Sequence, residues 1–306
     1  MLVVVALGGN ALLRRGEPAD EQHQRHNVEL AVAALAQLAQ RHRVVVTHGN
    51  GPQVGLLALQ GEAYPQIAPY PLDVLGAESE GMIGYLLEQG LANRLPGTPT
   101  ATLLTQVVVD ESDSAFQKPS KPIGPVYERE TAERLAGERR WSVAPDGEHW
   151  RRVVASPEPK RIVELQTIRT LVEAGVLVVC VGGGGIPVIV DEHGALRGVE
   201  AVIDKDRSAA LLARELDADA LLLLTDVPYV ERDHATERAQ PIREASAREL
   251  DPADFDGGSM RPKIEAACRF VTETGGIAAI GALSDAAAIL AGEAGTKIVA
   301  ASARED

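Results

Sequence analysis

The chain has few residues suited to thiol chemistry. Only two of its 306 residues are cysteines, and both sit in apolar stretches, Cys180 in VLVVCVG and Cys268 in IEAACRFV. They read as small core hydrophobes in a reducing compartment, neither nucleophiles nor metal ligands. Cations are also in deficit, with 30 Lys+Arg against 44 Asp+Glu and a formal net charge of −14. That balance argues against nucleic acid or an anionic membrane surface as the main partner, so any anionic ligand must be met by a local concentration of cations. No apolar run reaches the roughly 18 residues of a membrane span. The apolar start, Leu2 to Leu7, is short and has no basic leader, so the expected location is cytoplasmic.

The familiar nucleotide fingerprints are missing as well. Gly182 and Gly184 satisfy the first two positions of G-x-G-x-x-G, but the third falls on Pro187; Gly49 and Gly51 would need a small residue where Val54 stands. A dehydrogenase is thereby disfavoured. The mononucleotide P-loop and the protein-kinase catalytic loop are absent. The opening VVVALGGNALL reads as a strand entering a glycine turn, yet no lysine or arginine precedes Arg14.

What is present is alternation. Short Val/Leu/Ala-rich runs alternate with amphipathic stretches, the pattern of an α/β protein with a mainly parallel sheet covered by helices on both faces. After the first strand, Asn27 is expected to cap a helix through VELAVAALAQLAQRH, and RVVVTHGNGPQVG reads as strand, turn and helix. From about 115 to 157 the pattern changes. FQKPSKPIGPVY is too proline-rich for a core element, and RRWSVAPDGEHWRRVV reads as a hairpin about Asp146-Gly147 carrying Trp141 and Trp150, so this segment is expected to be an inserted flap. A helix from about Arg161 to Ala174, the strand VLVVCV, a second hairpin at His193-Gly194, the strand ALLLLTD, a helix opened by GSMRPKIEAACRFV and strands at GIAAIG and KIVA complete the reading. The expected lobes are 1–207 and 208–306.

Three glycine turns follow strands: Gly8-Gly9-Asn10, Gly49-Asn50-Gly51 and Gly182 to Gly185. Each alone is an ordinary tight connection. Three at the carboxyl ends of buried strands can line one crevice, where open α/β sheets bind ligands. Three lysines also stand in unusual contexts: Lys121 between prolines, Lys205 between Asp204 and Asp206, and Lys263 after Pro262 at a helix start. Each has an ordinary surface reading, and the two aspartates can be a helix cap with ion pairs. Together they suggest an electrostatic clamp for a transferring phosphoryl group. His48, before the second turn, reads as a structural hydrogen-bonding residue.

The segments ALGGNAL, THGNGPQVG, PLD, EGMIGY, LTQVVVD, KPIGP, GGGGIPV, GVEAVIDKD, LTDV and GSMRPKIEAA run in order from Ala6 to Ala267. In them the chain resembles the carbamate kinases, a branch of the amino acid kinase superfamily. The resemblance implies a three-layer α/β/α sandwich, a homodimer, and reversible phosphoryl transfer between ATP and carbamate that gives ADP and carbamoyl phosphate, often run toward ATP in arginine catabolism. It assigns Gly8, Gly9, Asn10, Gly49, Asn50, Gly51, Gly183 and Gly184 to the carbamoyl side. Thr225, Asp226, Val227, Met260 and Lys263 go to the nucleotide side, and Lys121, Lys205, Lys263, Asp204 and Asp206 to phosphoryl transfer. Mg²⁺ is implied as a partner of the nucleotide phosphates, with no protein metal ligands assigned. Many relatives in the wider superfamily carry a lysine two residues before the Gly-Gly pair, where this chain has Ala6; the carbamate kinases supply the KPIGP lysine instead. One departure is Glu80, where glutamine is expected, and its added negative charge bears on the site or the dimer interface if either lies close. Alternatives are another small-acid or phosphate kinase of the superfamily and a non-catalytic nucleotide-binding regulator.

Overall fold

The structure is a computed structural model, and it describes residues 1–13, 16–18, 20–64, 66–234, 236, 238–255 and 259–300. Strand Leu2–Leu7 is buried along its whole length and pairs in parallel with Arg43–His48 on one side and Ala220–Thr225 on the other. An uninterrupted apolar run is what a strand covered on both faces requires. Its side chains divide by the period of two. Leu2, Val4 and Ala6 enter a core with helices Leu165–Glu173, Lys205–Glu215 and Met260–Thr274, while Val3, Val5 and Leu7 enter one with helices Glu21–Ala39 and Leu72–Arg94.

The main sheet has eight strands in the order Glu244–Ser246, Thr296–Val299, Ile277–Ala282, Ala220–Thr225, Leu2–Leu7, Arg43–His48, Leu177–Val179, Thr100–Thr102. Only the pair Ile277–Ala282 with Thr296–Val299 is antiparallel. The chain thus has the expected α/β/α sandwich, and one sheet runs through both expected lobes. The second hairpin also forms, with Ile186–Val190 against Leu196–Gly198 and Gly194 at φ 80°.

Two local expectations are corrected. The first long helix begins at Glu21 and is capped by Asp20, whose side chain accepts from the His23 amide. Asn27 lies inside it, buried, donating to Glu17 Oε2 at 2.7 Å. Helix 161–174 is shorter: Arg161–Ile162 pairs with Gln106–Val108, and the helix is Leu165–Glu173, with Gly175 at φ 81° behind it.

The proline-rich segment lies outside the main sheet, in a flap. Lys121–Tyr127 is a strand despite its two prolines, because it is the edge of a three-stranded antiparallel sheet with Ser142–Asp146 and His149–Val154. An edge tolerates missing N–H donors, and its register shifts between Ile123 and Tyr127, a stretch that includes Gly124 at φ 71°. The hairpin at Asp146-Gly147 forms as expected. Trp141 and Trp150 lie on this unit, under Arg139 and Arg152 and under Arg129 respectively. The flap docks on helix Gly51–Glu62 through two glycines, since a Cβ on Gly55 would come within 2.0 Å of Gly124 Cα.

Candidate active site

The carboxyl ends of the central strands, the N-termini of helices Lys205–Glu215 and Met260–Thr274, and the flap enclose a cavity of about 460 Å³. Gly8, Gly9, Gly49, Asn50, Gly51 and Gly183 line it, so the three glycine turns do share one crevice. Lys121, Lys205, Lys263, Asp204, Asp206 and Thr225 line it too. A hollow of similar size lies at Val108–Ser112 and Ile189–Val190, and it has no cation in its wall.

The lysines are held by the aspartates. Asp204 caps helix Lys205–Glu215, its Oδ1 accepting from the amides of Asp206 at 2.9 Å and Arg207 at 3.3 Å. Its Oδ2 receives Lys121 Nζ at 2.5 Å across from the flap. Asp206 is gripped at both oxygens, Oδ1 by Lys205 and Oδ2 by Lys263 Nζ at 3.2 Å. Lys263 also donates to the Ser259 carbonyl at 3.2 Å. The helix-cap and lysine-orienting readings of the two aspartates are therefore both realised.

Burial and the ion pairs oppose each other at the aspartates. Burial works to raise the carboxyls of Asp204 and Asp206, but the neighbouring ammoniums outweigh it and hold both below the usual carboxylate range. Burial pulls Lys205 down to about 8, with Asp206 opposing the shift and Lys263 adding to it. Three lysines and three arginines line the cavity against four carboxylates, Asp146, Asp204, Asp206 and Glu265, so it keeps an excess of positive charge in a strongly acidic chain.

The turns are glycine for lack of space. A Cβ on Gly49 would stand 2.9 Å from Gly9 N, and one on Gly183, at φ 68°, would stand 2.2 Å from Asn50 Nδ2. Asn50 is oriented in turn by Ser79, whose Oγ accepts from its Nδ2 at 2.9 Å. One expected anion donor is already engaged, because the Gly8 amide donates to the Leu224 carbonyl at 2.8 Å within the sheet. Gly9 and Gly51 each begin a helix, where first-turn amides have no acceptor inside the helix.

Other expected residues are placed less directly. Gly184 is tucked behind the cavity against Ile203, and its carbonyl accepts from Ser208 Oγ at 2.7 Å. Asp226 is exposed and accepts from Thr225 Oγ1 at 2.9 Å, and Met260 packs on the core. Asp226, Val227 and Met260 are not in the cavity wall. The Asn10 side chain, and Gly258 of the GSMRPK motif, lie outside the described residues. His48 is buried, its Nδ1 3.2 Å from the Gly49 carbonyl, and burial lowers it to about 4. It is a neutral structural residue. Burial raises both thiols.

Sequence reasoning missed the arginines. Arg151, Arg207 and Arg261 line the cavity. Arg151 donates to the Gly124 carbonyl at 2.6 Å and pairs with Asp146 at 3.2 Å, and Arg261 donates to the carbonyls of Pro252, Ala253 and Phe255. The one available signal was the Arg151-Arg152 doublet on a strand, where one of two successive side chains must face inward.

Residues 1–280 match the model of the amino acid kinase family. A carbamate kinase of Haemophilus influenzae is 54% identical over 97% of this chain and 96% of its own length. Among solved structures, the carbamate kinase of Giardia lamblia bound to citric acid superposes with a TM-score of 0.93 at 39% identity, covering 98% of both chains; the same enzyme bound to AMP-PNP gives 0.88. The chain belongs to the amino acid kinase family, in its carbamate kinase branch.

Proposed function

We propose that the chain transfers a phosphoryl group reversibly between ATP and carbamate; relatives named carbamate kinase, one of them bound to AMP-PNP, support this reading. The observation that carries this reading is the convergence of Lys121, Lys205 and Lys263, from three separate elements, on one cavity walled by glycine turns. Carbamate already bears an anionic oxygen, so no general base is needed. That oxygen forms a bond to the γ-phosphorus as the bond to the β-bridging oxygen breaks, and ADP leaves with the electron pair. The residues' task is to hold two anions in line and neutralise the charge that spreads over the transferring group.

Gly9, Asn50, Gly51 and Gly183 would take the carbamoyl end, and Thr225 and the start of helix Met260–Thr274 the nucleotide. This keeps the functional division at about residue 207, with 115–157 as the flap. Lys121 would close the site from above, released from Asp204 toward the phosphoryl group. Asp204 and Asp206 are already engaged by lysines. Mg²⁺ would accordingly enter with the nucleotide, as part of the substrate, bound through phosphate oxygens. We also place the enzyme in the cytoplasm as a homodimer; among the described residues no helix is long and apolar enough to cross a membrane, and Met82, Tyr85 and Leu104 are exposed apolar residues available to a second copy.

A panel of acyl phosphates tests substrate choice. With Mg-ADP, carbamoyl phosphate is expected to yield ATP at least about tenfold faster than acetyl phosphate or an N-acetylglutamyl phosphate analogue. Equal or better use of another acyl phosphate would move the assignment to a different small-acid kinase.

A further inference from the structure

Glu80 is buried, 1% exposed, on helix Leu72–Arg94. It lies neither in the cavity wall nor on the surface, so its departure from the expected glutamine acts through the interior. Its two oxygens receive two backbone donors, Oε1 from Gly182 at 2.7 Å and Oε2 from Thr105 at 3.2 Å. Thr105 Oγ1 accepts from the Val181 amide at 3.0 Å and donates to the Leu103 carbonyl at 2.8 Å. These bonds hold a turn that the chain would not adopt freely, since Val181, a β-branched residue, sits at φ 54° and is followed by Gly183, Gly184 and Gly185 at φ 68°, 96° and 88°.

The turn is a spacer between the two halves of the site. On one side Gly183 lies against the Asn50 amide, and on the other Gly184 lies against Ile203 and Asp204, where a Cβ would come within 2.6 Å of the Ile203 carbonyl oxygen. Ser79 and Glu80, adjacent on one helix, hold Asn50 and Gly182 respectively. We propose that Glu80 is a positioning residue for phosphoryl transfer: its carboxylate fixes the Val181–Gly185 turn and so sets the gap between Asn50 and the Asp204 cap that presents Lys205. The inference rests on the proposed reaction, because it assigns Asn50 and Lys205 to the two reacting ends.

The ionised carboxylate is the form that accepts both bonds; a proton on either oxygen would compete with an N–H. Burial pushes this carboxyl up to about 8, against the two backbone donors that favour its charge. His48 beside it, Cys180 after strand Leu177–Val179 and Glu164 ahead of helix Leu165–Glu173 are the titratable groups that face it. His48 and Cys180 stay neutral, one lowered and the other raised by burial. Ionisation of Glu80 therefore tightens the turn as pH rises, whereas loss of the Lys205 proton weakens the site over the same range.

Glu80→Gln tests this, since glutamine has one acceptor oxygen where the carboxylate has two. Above about pH 8, where Glu80 is ionised, kcat with Mg-ADP and carbamoyl phosphate is expected to fall about 10-fold to 100-fold, as a displaced reacting group costs, with the KM for ADP changed less than about twofold; near about pH 6, where the protonated carboxyl has one free acceptor as glutamine does, the two proteins should differ little. The rising limb of kcat/KM toward pH 8 should disappear while the falling limb stays. Stability should move the other way. The Glu80 pKa is raised on folding, so its contribution to stability is full below the unfolded value and lost as pH rises through about 8; the melting temperature of Glu80→Gln relative to wild type should be higher at pH 9 than at pH 5. Thr105→Val, which keeps both backbone bonds to Glu80 and removes the acceptor for Val181, should lower kcat and retain a rising limb, moved to higher pH because the Thr105 hydroxyl also favours the Glu80 charge. Amide exchange at Gly182 should speed up in Glu80→Gln whatever reaction the enzyme catalyses. Absence of ATP formation by wild type would count against the reaction alone. Unchanged kcat, rising limb and Gly182 exchange in a folded Glu80→Gln protein would overturn the positioning role.

Discussion

Lys121 Nζ lies 2.5 Å from Asp204 Oδ2, joining the first residue of a flap strand to the cap of a core helix. The contact places the flap's lysine in the same cavity as Gly9 and Lys263. It also answers the question raised by a glycine turn with no cation in its own strand, because the charge comes from elsewhere in the fold. Lys121→Ala should lower kcat for ATP formation by about 10²-fold to 10³-fold, the usual cost of removing one preorganised contact to transition-state charge. Its far-ultraviolet circular dichroism should be unchanged, and a folded variant within about threefold of wild type would remove Lys121 from the mechanism.

Asp206 sets the charge of Lys205. Burial lowers the Lys205 ammonium to about 8, and Asp206 is the largest influence holding it up. In wild type kcat/KM should therefore fall as pH rises through about 8, because this profile reports the free enzyme. Asp206→Asn removes the opposing charge, and the falling limb should move to lower pH. A limb that stays in place or moves up would show that Lys205 does not govern it.

The flap is seated through a contact with no spare room. A methyl group on Gly55 would overlap Gly124 Cα, so Gly55→Ala should lever the flap from helix Gly51–Glu62 and withdraw Lys121. The expected loss is about 1–3 kcal/mol of stability, typical of overpacking, read from denaturant melts, with kcat reduced about as much as in Lys121→Ala. A variant with wild-type stability and kcat would show that the flap can dock without this contact.

Much of this was legible in the sequence because it is local. Buried strands, the glycine turns behind them and Lys121, Lys205 and Lys263 were read from short segments, and the fold brings them to one cavity. The misreadings arose where a distant partner decides the outcome. Asn27 looked like a cap, but Asp20 starts the helix and the asparagine is satisfied by Glu17. Arg161–Ile162 became a strand because Gln106–Val108 offers a partner. The KPIGP segment was rightly kept out of the core, and only its pairing as an edge strand, where proline is tolerated, needed the fold. Gly8 cannot spare its amide, since Leu224 takes it. Glu80 could not be placed at all without Gly182 and Thr105, which lie 102 and 25 residues away.

The most direct test of the central claim is to mix the purified protein with Mg-ADP and carbamoyl phosphate and follow ATP by a coupled assay, for wild type beside Lys263→Ala. The wild type should form ATP well above the background of carbamoyl phosphate hydrolysis, and the folded variant should be slower by about 10²-fold to 10³-fold. No ATP from wild type, or near-normal turnover from folded Lys263→Ala, would contradict a carbamate-phosphorylating site built on these lysines.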